Sequence, residues 1–94
     1  MPRIAYYKYF TFFIYMYDLL NEPLHLHVVK EKGNRAYAAK IWLDSLEFAE
    51  SGSLSQKEVN LVQKLVGKNK EMLIALCLKA KKGEKIKFTE LKLK

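Results

Sequence analysis

The two histidines of this chain, His25 and His27, are the residues whose type and spacing best fit a chemical task. They alternate with apolar residues from position 24 to position 28, directly after Pro23. This alternation is typical of a half-buried β-strand, in which successive side chains point to opposite faces. Both imidazoles would then lie on one face of the strand. The stretch from Asn21 to Val28 is therefore the first candidate for a functional site.

Metal binding is one task that such a pair can perform. Histidines two residues apart lie ~6.6 Å apart along a strand, so both can bind one ion if their side chains converge. A third ligand would have to come from Asp18, Glu22 or Glu31, and none of these has the spacing of a known metal site. We assign no metal. The sequence also lacks a glycine-rich phosphate loop and a zinc-type cysteine pattern, so we assign no cofactor.

Acid–base chemistry is a second task for the pair. His25 and His27 could act as acid and base on the ribose–phosphate backbone of RNA, with Lys40 stabilising the charge that develops. This interpretation predicts a metal-independent ribonuclease. The simpler alternative is that both histidines are structural or surface residues of the strand, hydrogen-bonded to backbone and solvent.

Three predicted strands position the histidines. From the N-terminus they are Tyr6–Tyr17, Leu24–Lys30 and Arg35–Trp42. A loop from Asp18 to Pro23 separates the first two, and a two-residue turn at Gly33-Asn34 joins the last two. The first strand has a core face of even-numbered residues. Its odd-numbered face is aromatic and carries hydroxyl groups, so Tyr15 and Tyr17 are candidates for binding.

The two-residue turn fixes the register between the second and third strands. The predicted apolar pairs on the core face are Val28–Ala39 and Leu26–Ile41. On the opposite face, His27 pairs with Lys40 and His25 pairs with Trp42. Lys40 and Trp42 are therefore predicted to share a binding surface with the two histidines.

The second half of the chain is predicted to be mainly helical. A short fourth strand around residues 46–48 and a break at Ser51-Gly52-Ser53 precede a helix with Ser55 as N-cap and Glu58 completing a capping box. The core stripe of this helix comprises Val59, Val62, Val66, Leu73, Leu76 and Ala80, with Asn69 inside the stripe. One unbroken helix to Lys81 would be ~40 Å long. A domain of this size has a radius of gyration of ~12 Å, so we predict a break near residues 67–69.

These elements predict a single α+β domain over residues 1–94. A small, mainly antiparallel sheet of three to five strands would pack against one kinked helix or two helices. Residues 1–50 form the sheet-rich half, residues 55–82 the helical part that Gly83 ends, and residues 83–94 a basic tail. In that tail we predict a short strand within Ile86–Leu91 and frayed final lysines. Because residues 72–78 are apolar on all sides, a structural homo-oligomer is one alternative function.

The net charge of +7 is concentrated in the second half of the chain. Residues 1–50 contain six basic and six acidic side chains, whereas residues 51–94 contain eleven basic and four acidic ones. This asymmetry favours contact with a polyanion or an acidic protein over a neutral partner. The candidate contact residues are Lys68, Lys70, Lys79 and Lys82. The alternative is a solvated lysine-rich surface that keeps a small protein soluble.

The single cysteine and the N-terminal sequence bear on location. Cys77 lies in an apolar helical run, where a buried thiol is expected, and it excludes an intrachain disulfide. The N-terminal apolar run lacks a signal-peptide cleavage site, and it is too short and too polar to span a membrane. We therefore expect a cytoplasmic protein without membrane contact.

Three blocks of sequence resemble a bacterial family known as domain of unknown function 4160. They are Met1-Pro2-Arg3-Ile4, the stretch Asn21–Val28, and the helical end from Glu71-Met72-Leu73 to Gly83. The His-x-His-Val part is the most specific, and the resemblance covers nearly the whole chain. It implies an arrangement like a toxin–antitoxin pair, because such proteins are often encoded beside a second small domain.

The chain also departs from the pattern of that family. Glu22 replaces the first proline of the motif, and Leu26 replaces the aromatic residue between the histidines. A further histidine is often found at the position of Leu19-Leu20. In the helical part, tryptophans are common at the positions of Leu65 and Cys77, and a histidine is common at the position of Asn69. Only His25 and His27 are therefore carried over as functional residues, which lowers the expectation of enzymatic activity.

Together these observations predict a small basic interaction module, one component of a toxin–antitoxin-like pair. It would bind a cognate small protein of acidic character, with RNA or DNA as a further partner. The ribonuclease and the homo-oligomer are the alternatives.

Overall fold

The computed structural model describes residues 3–15, 23–30 and 38–93, which form six β-strands and two α-helices. In chain order the elements are β1 Arg3–Tyr7, β2 Phe10–Phe13, β3 His25–Lys30, β4 Ala39–Trp42, β5 Phe48–Glu50, α1 Gln56–Lys68, α2 Lys70–Lys81 and β6 Thr89–Glu90. The fold is α+β, as the sequence predicts. The sheet has six strands rather than three to five.

All six strands form one sheet in the order β5-β4-β3-β2-β1-β6. Every neighbouring pair is antiparallel except β1 and β6, which are parallel. Leu26 of β3 and Ile41 of β4 lie in one hydrophobic cluster with Val62 of α1 and Leu73 of α2, so both helices cover the same face of the sheet. We call the opposite face, which carries the residues that alternate with this core, the outer face.

The predicted register between β3 and β4 is confirmed at all four described pairs. They are His25–Trp42, Leu26–Ile41, His27–Lys40 and Val28–Ala39. The predicted turn at Gly33-Asn34 lies outside the described residues, as do Met16 to Glu22. The register places both histidines on the outer face.

The prediction of one continuous strand from Tyr6 to Tyr17 is wrong within its described part. The chain reverses at Lys8 and Tyr9, so that Tyr7 pairs with Phe10 in a tight hairpin between β1 and β2. Lys8 has a positive φ of 50°, a conformation that two-residue hairpin loops usually give to glycine, asparagine or aspartate. Because a lysine occupies this position, the sequence lacks the glycine, asparagine or aspartate that usually marks such a turn. The alternating aromatic run is therefore typical of one strand.

Two shorter strand predictions are displaced. The sequence predicts a fourth strand around residues 46–48, but β5 runs from Phe48 to Glu50, because Leu46 has a φ of 64° just before it and cannot continue a strand. The Leu46 carbonyl accepts a hydrogen bond from Gln63 Nε2 at 2.9 Å, which ties this turn to α1. The strand predicted within Ile86–Leu91 is limited to Thr89–Glu90.

Helix α1 begins with the predicted capping box. The Ser55 hydroxyl accepts a hydrogen bond from the Glu58 backbone N–H at 3.2 Å, and the Glu58 carboxylate accepts one from the Ser55 N–H at 2.9 Å. Glu58 Oε1 also lies 3.0 Å from Lys30 Nζ at the end of β3. The hydrogen bond from the Ser55 backbone N–H lowers the pKa of Glu58 below its usual range, and the Lys30 ammonium lowers it further. One carboxylate thus caps α1 and joins it to the strand that carries both histidines.

Glu58→Gln is expected to reduce stability most at neutral pH. A carboxyl group whose pKa is lower in the folded state contributes stability above its unfolded-state pKa, and this contribution is lost as the pH falls through the folded-state pKa. Glutamine keeps a side-chain oxygen that can accept the hydrogen bond of the Ser55 N–H, so the variant retains the capping box and removes the charge. Urea unfolding of both proteins from pH 7 to pH 3 measures the difference. A difference that stays constant across this range would contradict the role of the charge.

The predicted break between the helices is confirmed at Asn69, which separates α1 from α2. Its amide Nδ2 donates hydrogen bonds to the carbonyls of Leu65 and Lys92, both at 2.8 Å. Leu91 beside it is buried, and its N–H donates to the Tyr6 carbonyl at 2.8 Å. The prediction of frayed final lysines is therefore wrong at Lys92, whose carbonyl is held by Asn69 at the helix junction.

Helix α2 ends in a glycine motif, as predicted. Gly83 has a φ of 78°, its N–H donates to the Ala80 carbonyl, and the Glu84 N–H donates to the Lys79 carbonyl. These are the two hydrogen bonds of a Schellman motif. Cys77 is buried in this helix, and burial raises the pKa of its thiol to about 12, which fits an unreactive core residue. Neither of the described helices is long and apolar enough to cross a membrane.

Candidate binding site on the outer face of the sheet

A continuous row of rings crosses three strands of the outer face. Phe13 of β2 pairs with His27 of β3, and His25 of β3 pairs with Trp42 of β4. Side chains of directly paired residues lie on the same face of a sheet. We call the row formed by Tyr15, Phe13, His27, His25 and Trp42 the aromatic strip.

His25 forms the buried centre of the aromatic strip. Its side chain is 3% exposed, and its ring contacts His27 and Trp42 edge-to-face with centroid distances of 5.1 and 5.3 Å. Its Nδ1 lies 3.0 Å from the carbonyl oxygen of Pro23. Since a carbonyl can only accept, Nδ1 carries a proton and donates, which fixes the orientation of the ring.

His27 is half-buried and lies between two aromatic rings. It stacks on Phe13 at a centroid distance of 5.4 Å and meets the edge of Tyr15 at 4.7 Å. Phe13 itself is fully buried although it belongs to the outer face. The aromatic strip therefore has a buried floor, formed by Phe13 and His25, and a half-exposed rim, formed by Tyr15, His27 and Trp42.

Trp42 connects the aromatic strip to a cation and to a pocket. Lys40 Nζ lies 4.6 Å from the centroid of the indole ring, a cation–π contact. On another side, Trp42 lines a pocket of about 200 Å³ together with Pro23, Leu24, Asp44 and Ser45. This volume is below the range of about 300–1,000 Å³ for small-ligand pockets, so the pocket fits a single side chain or ring.

The match to a known family covers this surface. A family model described as Domain of unknown function (DUF4160) matches residues 10–76, which is more than half of the chain. The chain belongs to this family. The matched region of this DUF4160 protein contains every residue of the aromatic strip, together with Lys40, Lys68 and Lys70. None of the curated proteins and none of the solved structures that were compared matches the chain.

The DUF4160 chain keeps the predicted patch together but separates it from the predicted lysines. His25, His27, Lys40, Trp42 and Tyr15 lie within one connected set of contacts, and Tyr17 lies outside the described residues. The lysines belong to the helical layer on the other side of the sheet. Lys68 and Lys70 line a groove of about 560 Å³ at the helix junction, and Lys79 and Lys82 are exposed at the end of α2.

No third metal ligand joins the histidines in the described part of the chain. Across residues 3–15, 23–30 and 38–93, no group of three or more histidine, cysteine, aspartate or glutamate side chains could hold an ion. The three candidate ligands named from the sequence, Asp18, Glu22 and Glu31, lie outside these ranges. As possible metal ligands at this site, the described residues thus provide only the two imidazoles, which are surrounded by aromatic rings.

Sequence reasoning did not identify Phe13 as part of the site. The alternation places Phe13 on the odd-numbered, partly solvent-exposed face of the first strand. In the structure, the ring is buried and stacks on His27. The position of Phe13 follows from the pairing of β2 with β3, which sets Phe13 opposite His27. The connection between these strands, residues 14–24, is too long to fix their register from sequence.

Proposed function

We propose that this DUF4160 protein is a small basic interaction module and one component of a bacterial, toxin–antitoxin-like pair. It acts in the cytoplasm, where Cys77 remains a thiol. The rim of the aromatic strip binds the cognate partner protein, and the pocket beside Trp42 takes one of the partner's side chains. RNA or DNA is a further partner for the lysine-rich half of the chain.

The observation that carries this proposal is the half-exposed Trp42, which lies over a buried aromatic floor and beside a pocket. Tryptophan and tyrosine are enriched at the energetic centres of protein interfaces. The rings are also held in place by contacts beneath them, so little side-chain entropy is lost when a partner binds. Trp42 is therefore preorganised for binding, which favours recognition of a protein surface.

The charge of the outer face favours a protein over a nucleic acid at this site. The strand pairing sets Lys40 beside Glu50 and Tyr6 beside Glu90, so glutamates accompany the cations Arg3 and Lys40 on this face. Affinity for nucleic acid is dominated by contacts of lysine and arginine with phosphates. Among the residues that the structure describes, this face has balanced charges and lacks that contribution, whereas the helical layer has an excess of lysines.

The geometry of the imidazoles favours binding over acid–base catalysis. A general acid and a general base must each come within hydrogen-bond reach of the reacting group. His25 is almost completely buried, and its Nδ1 is engaged with Pro23. The two rings are in direct edge-to-face contact, so a phosphate cannot enter between them. His27 alone presents an imidazole at the rim.

Trp42→Ala is expected to weaken the complex with the product of the adjoining gene by at least about thirtyfold. This is the effect of losing an interface residue worth ~2 kcal/mol. The experiment is to co-express the two proteins, purify the complex and measure the dissociation constant by calorimetry for the parent and the variant.

Tyr9→Ala is the matched control. Tyr9 is an exposed aromatic residue, 44% accessible, at the hairpin turn and remote from the aromatic strip. It should leave the affinity nearly unchanged. Absence of a complex, or equal affinity of the parent and Trp42→Ala, would contradict the proposal. Cleavage of RNA by the purified protein that His27→Ala abolishes would favour the ribonuclease instead.

A further inference from the structure

The outward side of α2 has a surface that the aromatic strip does not use. Lys70–Lys81 buries Leu73, Leu76, Cys77 and Ala80 against the sheet. Its opposite side should therefore be polar, as in an ordinary surface helix. Instead Leu78 is 44% exposed and Ala75 is exposed beside it, while the neighbouring Ile74 is half-buried and packs against the core. The helix is apolar on two sides, and only one of them is covered by the described residues of the core.

The charges around this second apolar side are almost all positive. Positions 75 and 78 lie one turn apart and form one patch with Ile74 at its margin, which we call the α2 patch. Lys79, Lys81 and Lys82 are exposed at its C-terminal end, and Glu71 is exposed at its N-terminal end. A ligand for the α2 patch must therefore bury an apolar surface and carry negative charge.

We propose that the α2 patch binds an acidic amphipathic helix of a partner protein. Leucine-like side chains at spacings of three and four residues would cover Leu78 and Ala75, and flanking carboxylates would pair with Lys79, Lys81 and Lys82. This is the helix-on-helix mode of peptide recognition. The proposal concerns a different side of the molecule from the aromatic strip and does not depend on it.

A second copy of the chain fits the α2 patch less well. A two-fold contact would bring three lysines and one glutamate from each copy together, which leaves an excess of positive charge in the interface. Nucleic acid would pair with the lysines but would gain nothing from the apolar centre of the patch. The combination of an apolar centre with a lysine rim selects the acidic amphipathic helix.

The test uses the full chain and a synthetic helical peptide of about 15 residues, with leucines on one face and glutamates on its flanks. A peptide of the same composition, shuffled so that the leucines do not share a face, is the comparison. Binding is measured by fluorescence anisotropy. The amphipathic peptide should bind at least about tenfold more tightly than the shuffled one.

Two variants with a matched control locate the binding. Leu78→Glu should weaken the amphipathic peptide by at least about tenfold, and so should the double variant Lys79→Glu/Lys82→Glu. The control is Lys57→Glu/Lys64→Glu, which makes the same change in charge at exposed positions of α1 and should alter affinity by less than about threefold. Circular dichroism and thermal unfolding verify that each variant is folded. The complex formed through Trp42 should be insensitive to Leu78→Glu.

Four results would overturn the proposal. The first is no binding of the amphipathic peptide, and the second is equal binding of the shuffled peptide, which would mean attraction by charge alone. The third is that a single-stranded oligonucleotide binds and loses its affinity in Leu78→Glu, which would make nucleic acid the occupant. The fourth is a dimer in light scattering that Leu78→Glu dissociates, which would make a second copy the occupant.

Discussion

Phe13→Ala is expected to destabilise the protein by about 3–5 kcal/mol, the cost of removing a fully buried phenylalanine ring. Phe13 is inaccessible to solvent although it points to the outer face of the sheet. Its ring supports His27 by stacking and meets Tyr15 edge-on at 5.5 Å. A domain of this size has a total stability of about 5–15 kcal/mol, so the variant should be near the limit of folding.

Urea unfolding followed by circular dichroism measures this effect, with Phe13→Leu as the control. Leucine keeps most of the buried apolar volume and should cost less than about 1.5 kcal/mol, but it cannot stack on His27. A binding measurement on Phe13→Leu then separates the two roles of the ring, because the fold survives while the support of His27 is lost. A difference in the free energy of unfolding between Phe13→Ala and the parent of less than about 1 kcal/mol is close to the error of the measurement. Such a result would mean that Phe13 does not support the aromatic strip.

The register of β3 and β4 could be predicted because two local signals agree. Alternation assigns Leu26 and His27 to opposite faces, and a short turn leaves only one pairing that keeps the apolar face together. The neighbours of His25 and His27 on β4 follow from that register, and they are the observed ones. The capping box at Ser55 and the glycine motif at Gly83 could be predicted for the same reason, since each depends on residues a few positions apart.

The features that sequence reasoning missed depend on strain or on distant contacts. The hairpin at Lys8 places a lysine in a left-handed conformation, against its local preference. The parallel pairing of β6 with β1 joins the two ends of the chain, and no local pattern encodes it. Asn69 reads as a polar interruption of an apolar stripe, whereas its amide holds the backbone of Lys92. Such a role is visible only once both partners are placed.

The separation of the lysines from the histidines changes what the basic charge can mean. From the sequence, one surface could combine His25 and His27 with the lysine-rich half. In the fold, the sheet lies between them, because β3 turns its histidines away from the helices that carry Lys68 and Lys79. The chain therefore offers two surfaces of different chemistry. Within the described part of the chain, one is aromatic and balanced in charge, and the other is apolar with a lysine rim.

His25→Ala and His27→Ala are expected to differ in their effects, in a way that separates binding from catalysis. His25→Ala removes a buried ring and its hydrogen bond to Pro23, and it should destabilise the fold by about 2–4 kcal/mol. His27→Ala removes a half-exposed ring from the rim and should cost about 1 kcal/mol or less in stability. His27→Ala should still weaken partner binding, because it removes a contact of the aromatic strip.

His25→Asn is the control for the first effect, because its amide can donate to the Pro23 carbonyl as Nδ1 does, while the ring contacts with Trp42 are lost. A stability between those of the parent and His25→Ala would divide the cost between the hydrogen bond and the packing. Urea unfolding of the four proteins provides these values. An acid–base pair makes the opposite prediction, since each alanine variant would then keep its fold and lose activity to a similar extent. Equal stability of His25→Ala and His27→Ala would therefore count against a buried structural role for His25.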